Sequence, residues 1–221
     1  MKRLVILGTG GNAYDLLDIV EAINALTPTW EVAGFLDDKR ERGSRYLGIE
    51  VLGTLREAVR QEGSVFVNAI GSDQSFRYRP EILAGTGLRR EQFATLVHPA
   101  AGVSSRARLG HGVSVNYGVS VAGNVTIGDH VLLGPACVVG HDSVIEDFTM
   151  LAPASVVSGF VQVGVASYIG ASAVLRQRVR VGARALIGMG AVVLKDVAEG
   201  TVVVGNPARP LERPVVTAKA G

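Results

Sequence analysis

The stretch VTIGDHVLLGPACVVGHDSVIED, residues 125–147, carries an apolar residue at every sixth position, as at Leu133 and Val139. The same spacing runs without an insertion from Val103 to Val193, and all sixteen positions on it hold Leu, Ile or Val. We call these positions the anchors. If Leu, Ile and Val fill roughly a third of positions by chance, sixteen in a row has odds on the order of one in ten million or less, so the period is structural. The second half of the chain is therefore predicted to be a repeat structure.

Glycine has a fixed place in this repeat. The residue after the anchor is glycine in eight of the sixteen repeats, whereas the other eighty positions hold five glycines. Because glycine accepts backbone angles that a side chain forbids, this phase is interpreted as a corner. The fourth residue past the anchor is mostly small or Val, as at Ala107, Val125, Cys137, Ser143, Ser155, Ser167, Ala173 and Ala191. Short strands separated by corners predict a parallel β-helix.

The first hundred residues follow a different pattern. A short β run at residues 4–7 leads into a glycine turn at residues 8–13, and apolar residues then recur at helical spacing. Further strands are predicted at residues 31–36, 65–70 and 95–97, and helices near residues 54–61 and 76–84. This alternation predicts a parallel sheet covered by helices, smaller than a full dinucleotide-binding domain.

The glycine turn fits the pattern G-x-G-x-x-A, starting at Gly8. Such a turn places backbone N–H groups and a helix N-terminus where phosphates bind. Asp37 and Asp38 end the next predicted strand, where a carboxylate can bind a ribose hydroxyl. Alternatively, the glycines only let the first helix pack against its strand.

Composition narrows the function classes. The net charge is +2 without basic runs, which argues against a nucleic-acid partner. The longest apolar stretches fall far short of the about 18 residues of a membrane span, and the start is not typical of a secretory signal. We therefore expect a cytoplasmic protein without a membrane segment. The single Cys137 sits at the small inward position, which indicates a packing role.

The repeat pattern and the closing VGNPAR, residues 204–209, resemble the hexapeptide-repeat acyltransferases. The resemblance implies a left-handed β-helix with three hexapeptides in each coil and about five coils. It also implies a homotrimer that binds acetyl-CoA between its subunits. The period by itself implies neither the handedness nor the assembly.

One branch of that family joins a small Rossmann-like domain to the β-helix, and the chain resembles this branch over nearly its whole length. It is the sialic acid O-acetyltransferase type of sugar-nucleotide acetyltransferase, which includes bacillosamine-pathway and GDP-perosamine N-acetyltransferases. The matching segments are residues 5–11, 34–38, 68–71 and 97–99. The implied domains are a nucleotide-sugar-binding domain at residues 1–97, a β-helix acyltransferase domain at residues 98–210 and a flexible tail at residues 211–221.

In that branch the first domain holds the nucleotide of the sugar. By resemblance, the glycines approach the phosphates and the aspartates approach the ribose or base; the residues are Gly8, Gly10, Gly11, Asn12, Asp37, Asp38 and Gly71. The chain departs from the family at three positions. The family's loop continues with His and then a basic residue, where this chain has Asn12 and Tyr14, and many relatives have His where this chain has Met150. These departures bear on which sugar is accepted. Alternatively, the altered loop means that this domain binds another ligand.

The candidate chemistry lies at His141 and Asp142. Acetyl transfer from a thioester needs a base that takes a proton from the attacking amine or hydroxyl, and imidazole titrates near neutral pH. A neighbouring carboxylate orients the ring and stabilises its charged form. In the family the base is a His followed by Glu or Asp in this repeat, so the resemblance gives His141 and Asp142 these roles. It also implies that Gly159 contacts the thioester carbonyl through its N–H and stabilises the oxyanion.

Alternate arginines form a second candidate site. Arg176, Arg178 and Arg180 point to one side of a predicted strand, and Arg184 follows them. Coenzyme A carries a pyrophosphate and a 3′-phosphate, which arginine binds well. A solvated face explains the same run equally well, so both interpretations stay open.

The other histidines have weaker interpretations. His98 precedes Pro99 at the domain junction and is interpreted as structural. His111, His130 and His141 invite comparison with the metal site of the γ-class carbonic anhydrases, which share this fold. Their spacing differs from that class, so we expect no metal.

These observations predict an acetyl-CoA-dependent N-acetyltransferase with His141 as general base. Its expected substrate is the amino group of a nucleotide-linked 4-amino-deoxy sugar destined for a surface polysaccharide or glycan. O-acetylation of a sugar hydroxyl needs the same base and stays open. A non-catalytic trimeric scaffold or ligand sensor on the same fold is a further alternative.

Overall fold

The computed structural model describes residues 1–211. They form an α/β unit followed by a three-sided stack of short strands. The tail predicted at residues 211–221 lies, apart from Leu211, outside the described residues. Among the residues described, no helix combines the length and the apolar character that crossing a bilayer requires.

The α/β unit contains one five-stranded sheet. Its elements are β1 (Lys2–Leu7), α1 (Asn12–Leu26), β2 (Trp30–Leu36), β3 (Arg45–Tyr46), β4 (Ile49–Gly53), β5 (Val65–Asn68), α2 (Arg79–Ala84) and 3-10 helices at Leu55–Arg60, Phe76–Tyr78 and Arg90–Gln92. The strand order is β3-β4-β2-β1-β5, and β1, β2, β4 and β5 are parallel. Leu4 and Ile6 pack against α1 on one face of the sheet, and Val5 and Leu7 are buried on the other. The predicted small α/β domain is confirmed.

The hairpin of β3 and β4 was not predicted from the sequence. Its turn consists of Leu47 and Gly48, whose φ angles of 51° and 76° are both positive. Such angles suit a two-residue hairpin, which usually has Asn-Gly or Asp-Gly in the turn. Leucine rarely adopts a positive φ, so Leu47-Gly48 does not predict a turn from the sequence. Tyr46 packs edge-on against Phe35, with 5.4 Å between ring centroids, and holds the hairpin against the sheet.

The strand predicted at residues 95–97 belongs to the strand stack. Leu96–Val97 pairs in parallel with Ser114–Val115. Its assignment to the sheet of the α/β unit was therefore wrong, because an apolar run this short carries no information about which sheet it joins. The division of the domains at residues 97 and 98 stays a prediction.

The strand stack is a left-handed parallel β-helix, as the resemblance implied. From Leu96 to Val193 the strands pair in parallel at a spacing of 18 residues, as Val138 does with Val156, so three hexapeptides make one coil. The anchors point inward, and those from Val115 to Val193 are buried. They form one continuous apolar core, which no single coil could bury alone.

The β-helix has three faces. The first consists of Gly102–Val103, Ser120–Val121, Val138–Val139, Val156–Val157, Val174–Leu175 and Val192–Val193. The second consists of Arg108–Leu109, Thr126–Ile127, Val144–Ile145, Gln162–Val163 and Arg180–Val181. The third consists of Leu96–Val97, Ser114–Val115, Leu132–Leu133, Met150–Leu151, Tyr168–Ile169, Leu186–Ile187, Val202–Val204 and the antiparallel Arg209–Pro210. Phe76 packs on Leu132 and Met150, so the α/β unit covers this third face.

The glycines after the anchors are required by the spacing between coils. A Cβ atom on Gly140, Gly164 or Gly170 would lie 2.6 Å from a backbone nitrogen of the next coil, closer than real Cβ atoms approach. The positive φ angles occur two residues later, at corner residues such as His130 and Asp142. Glycine follows the anchor because the gap to the next coil is too narrow for a side chain. The prediction that these glycines are needed for their backbone angles was wrong.

Gly170→Ala is expected to lower the free energy of unfolding by about 1–3 kcal/mol, because the added methyl group would press on the backbone of Gly188 and Met189. Gly123→Ala is the matched control, since a Cβ atom there would meet only the Ser104 hydroxyl, at 3.7 Å. Unfolding curves in guanidinium chloride measure both changes. Equal midpoints for the two variants would contradict this explanation of the glycine phase.

Candidate functional site

His141 lies at the corner between the first and second faces of the β-helix, two residues after the anchor Val139. The N–H of Gly140 donates to the Val157 carbonyl of the next coil at 2.7 Å, which holds the backbone before the corner. The imidazole is 58% exposed. A substrate can therefore reach the ring, while hydrogen bonds between successive coils hold the backbone beneath it.

Asp142 and Asn124 orient this ring. His141 Nδ1 lies 2.7 Å from Asp142 Oδ2, and Asn124 Nδ2 donates to Asp142 Oδ1 at 2.6 Å. The hydrogen bond from Asn124 and then that from His141 lower the pKa of Asp142 below its ordinary value. The ionised carboxylate favours a proton on Nδ1, which leaves Nε2 as the free base nitrogen. Sequence analysis missed Asn124, although its place 18 residues before Asp142 was an available signal.

Gly159 lies beside the free nitrogen of His141. A Cβ atom on Gly159 would lie 2.9 Å from His141 Nε2, so a side chain there would displace the imidazole. Within residues 1–211 the N–H of Gly159 donates no hydrogen bond. The structure thus brings His141, Asp142 and Gly159 together, with the free imidazole nitrogen next to a residue whose N–H has no acceptor among residues 1–211.

A stack of side chains continues from this corner. Phe160 meets His141 edge to face at 5.1 Å between ring centroids, and the Arg178 guanidinium lies 4.4 Å from the Phe160 ring. A cavity of about 490 Å³ opens on the first face beside it, lined by Ser158, Val174, Arg176, Gln177, Arg178, Val192 and Leu194. Apolar strands with two arginines suit a ligand that has an apolar arm and phosphate groups.

The other two predicted arginines lie elsewhere. Arg180 belongs to the second face of the β-helix. Arg184 occupies the corner between the second and third faces, and its guanidinium binds Glu81 of the α/β unit at 2.6 Å. The structure therefore does not bring Arg184 into the cavity beside His141.

A second cavity, of about 670 Å³, opens at the carboxyl ends of β1, β2 and β5. It is lined by Gly8, Thr9, Gly10, Asp37, Asp38, Lys39, Arg40, Leu55, Ala69, Ile70, Gly71, Ser72, Ser75 and Ile82. Parallel α/β sheets bind ligands at this edge. Five of the seven predicted nucleotide-binding residues line this cavity, and Gly11 and Asn12 do not.

The two aspartates order the rim of this cavity. Asp37 accepts hydrogen bonds from the N–H and the hydroxyl of Thr9 and from the N–H of Lys39, each at 2.7 Å. Burial alone would raise the pKa of Asp37, but these bonds together lower it below the ordinary value. Asp38 accepts the N–H of Leu55 at 2.9 Å. Each carboxylate still has lone pairs available to a ligand.

Asn12 takes a structural part in the wall of the cavity. Its Nδ2 donates to the carbonyl oxygens of Ala69, at 3.1 Å, and Gly71, at 2.9 Å. The side chain thereby ties the first turn of α1 to the segment after β5. Tyr14, the second departure from the family loop, is exposed and meets Tyr46 edge-on at 6.2 Å between ring centroids.

The histidines do not form a metal site. Within residues 1–211 no group of three or more His, Cys, Asp and Glu side chains is placed to hold an ion. His130 is buried between Phe93 and Phe148, and this burial is the main cause that lowers its pKa to about 4. A neutral, enclosed imidazole of this kind serves packing.

His98 and Cys137 make structural contacts. His98 Nδ1 accepts the N–H of Ala100 at 3.0 Å, and its ring meets Tyr117 edge-on. Cys137 is fully buried in the β-helix core, and burial raises the pKa of its thiol. A thiol without access to solvent and with a raised pKa is unreactive, which fits the packing role predicted for it.

A left-handed β-helix of hexapeptides with an oriented histidine at one corner defines the class of the hexapeptide-repeat transferases. Residues 3–78 match the family described as PglD N-terminal domain. The acetyltransferase domain of PglB from Neisseria gonorrhoeae is 32% identical with a TM-score of 0.81, and the match covers 96% of this chain and 100% of that chain. A variant of perosamine N-acetyltransferase from Caulobacter crescentus, solved with CoA and GDP-perosamine, is 30% identical with a TM-score of 0.81 over 95% of this chain and 97% of that chain.

A curated relative gives a shorter match. UDP-N-acetylbacillosamine N-acetyltransferase from Bacillus subtilis (strain 168) is 33% identical over 120 residues, which are 52% of this chain and 51% of the relative. The match therefore spans about half the length of that protein. With the near-complete matches to solved structures, the chain belongs to the hexapeptide-repeat sugar acetyltransferases.

Proposed function

We propose that the chain is an acetyl-CoA-dependent N-acetyltransferase that acts on the amino group of a nucleotide-linked 4-amino-deoxy sugar. The observation that carries this proposal is the His141 corner, where the free nitrogen of an oriented imidazole lies beside Gly159, whose N–H donates no hydrogen bond within residues 1–211. Relatives support it, since one was solved with acetyl coenzyme A and another with CoA and GDP-perosamine. No step of the proposed chemistry requires a metal.

In the proposed reaction, His141 Nε2 accepts a proton from the sugar amine as the amine nitrogen attacks the thioester carbonyl carbon. Asp142 stabilises the imidazolium that results. The Gly159 N–H donates to the oxyanion of the tetrahedral intermediate. When the C–S bond breaks, the imidazolium returns its proton to the departing thiolate, which leaves an amide and free CoA.

The two cavities suit the two substrates. In the α/β unit, the glycine loop and the N-terminus of α1 face the part of the cavity that we assign to the diphosphate. Asp37 and Asp38 face the part that we assign to the ribose or base. On the first face of the β-helix, Arg176 and Arg178 offer charge-assisted hydrogen bonds to the phosphates of the coenzyme. We also propose a cytoplasmic location, because both substrates are cytoplasmic metabolites.

Within one chain the nucleotide cavity, which is the cavity of the α/β unit, and His141 lie on different sides of the β-helix. Gly71, in the wall of the nucleotide cavity, packs against Met150 on the third face, whereas His141 lies between the first and second faces. Because the β-helix is a three-sided prism, the edge between its first and second faces lies opposite its third face. We therefore propose a homotrimer in which the sugar held by one chain reaches the base of its neighbour.

His141→Ala is expected to lower kcat at least about a hundredfold, because the base that takes the amine proton is lost. The assay is thiol release from acetyl-CoA with UDP-, GDP- and dTDP-linked 4-amino sugars and with the matching hydroxyl sugars. His111→Ala is the matched control, since His111 has the same position in its own hexapeptide.

The outcomes of this assay separate the alternatives. Release with an amino sugar that is lost in His141→Ala and kept in His111→Ala supports N-acetylation and identifies the nucleotide. Release with hydroxyl sugars alone moves the assignment to O-acetylation. Undiminished release by His141→Ala contradicts the proposed base, and no release from the wild type with any sugar favours a scaffold.

Arg176→Ala is expected to raise the KM for acetyl-CoA about tenfold, because a charge-assisted hydrogen bond to a phosphate is lost. Arg176 is chosen because Arg178 also stacks on Phe160. Arg184→Ala is the control, since this guanidinium binds Glu81 away from the cavity. Steady-state kinetics with acetyl-CoA varied give both constants, and a raised KM in the control alone would place the coenzyme elsewhere.

If active sites are shared between chains, two inactive variants are expected to regain activity when their chains exchange. His141→Ala loses the proposed base but keeps an intact nucleotide cavity. Gly10→Phe keeps the base, but its phenyl ring fills the nucleotide cavity, because there is open space around the Cβ position of residue 10. Sedimentation gives the mass of the mixed species. Activity in a monomer, or no recovery after proven exchange, would rule out the shared site.

A further inference from the structure

Arg79, the first residue of α2, is a buried cation without a carboxylate partner among residues 1–211. Its side chain is 1% exposed, and no ion pair of the described residues includes it. Burial lowers its pKa to about 9, so the guanidinium keeps its charge at neutral pH. A buried charge is costly unless its hydrogen bonds are satisfied, so the partners of Arg79 define its role.

Three carbonyl oxygens, from both parts of the molecule, accept hydrogen bonds from this guanidinium, one from each of its nitrogens. Nε donates to Ile70 at 2.8 Å, Nη2 donates to His130 at 2.8 Å, and Nη1 donates to Phe148. Ile70 lies in the wall of the nucleotide cavity, directly before Gly71. His130 and Phe148 are corner residues of successive coils, 18 positions apart. A single planar group therefore joins the cavity wall to two coils of the β-helix.

The wall is also held sterically at the same point. A Cβ atom on Gly71 would lie 2.6 Å from Met150 Sδ and 3.0 Å from Arg79 Cδ. Gly71 has a φ angle of 145°, which residues with side chains rarely adopt. The segment at residues 70–72 is thus wedged between Arg79 and the third face of the β-helix.

We infer that Arg79 is a positioning residue that fixes residues 70–72, one wall of the nucleotide cavity, at a set height above the β-helix. The inference rests on the proposed function, because it assigns this wall to binding of the nucleotide-linked sugar. Loss of the guanidinium leaves the Ile70, His130 and Phe148 carbonyls without this donor. The wall then loses its link to the β-helix, and sugar binding weakens more than coenzyme binding.

Arg77 provides a matched control. It also joins the α/β unit to the β-helix, since its guanidinium donates to the carbonyls of Arg184 at 2.8 Å and Gly200 at 3.2 Å. It lies two residues before Arg79 but donates to no atom of the cavity wall. Arg77→Met therefore removes a contact between the same two parts of the molecule without releasing residues 70–72.

The experiment compares Arg79→Met, Arg79→Lys and Arg77→Met by hydrogen exchange and by steady-state kinetics. In Arg79→Met we expect faster amide exchange at residues 70–75 and a KM for the nucleotide-linked sugar raised about tenfold or more, with the KM for acetyl-CoA within twofold of the wild type. Arg79→Lys keeps the charge and some of the N–H donors, so its exchange rates and its KM for the sugar should lie between those of the wild type and of Arg79→Met. Arg77→Met should match the wild type in both measurements.

Three results would overturn the inference. These are unchanged exchange and KM in a folded Arg79→Met, equal effects of Arg77→Met and Arg79→Met, and a uniform fall in kcat without a change in the sugar KM. If Arg79→Met does not fold, the same comparison is made with Arg79→Lys. If the wild type acetylates no nucleotide-linked sugar, the proposed function fails, whereas the exchange data still test whether Arg79 fixes the wall.

Discussion

The rest of the structure depends on the parallel hydrogen-bond ladder that joins residues 18 apart in successive coils. Because the ladder fixes the spacing of the coils, residues at one phase lie directly above one another. At the candidate site this places Asn124, Asp142 and Phe160 in one column and His141 above Gly159 in the next. The hydrogen bonds and ring contacts around the base are therefore consequences of the period, and no loop has to close to make them.

The corners bear the conformational cost of this arrangement. Most of them hold a non-glycine residue at positive φ, a conformation that costs about 1 kcal/mol or more for a residue with a side chain. Asn and Asp tolerate it best, and Asn124 and Asp142 are the corner residues that orient His141. Phe148 and Phe160 are unusual at such angles, and their rings pack against His130 and His141. At these two corners, ring contacts between coils thus compensate for the unusual backbone angle.

The sequence predicted the parts of the molecule that are periodic. The β-helix follows from the anchors, and the phase of Gly159 relative to His141 is visible as a separation of 18 residues, although the role of that glycine came from family resemblance. Features without a period were missed. The turn at Leu47 lacks the usual turn residues, and the pairing of Leu96–Val97 depends on tertiary packing alone. Arg79 looks like any surface arginine in the sequence, because its carbonyl partners lie 9, 51 and 69 residues away.

In the proposed reaction, substrate choice and chemistry depend on different parts of this chain. The contacts that orient His141 come from the β-helix, whereas Asn12, in place of the family's histidine, makes its contacts within the α/β unit, so this departure does not touch the proposed base. Met150 shows where the two parts constrain each other. Many relatives have histidine at this position, but here the side chain is 4% exposed and packs beneath Gly71 and Phe76. A polar imidazole there would need a buried partner, whereas the thioether packs under the wall of the nucleotide cavity without one.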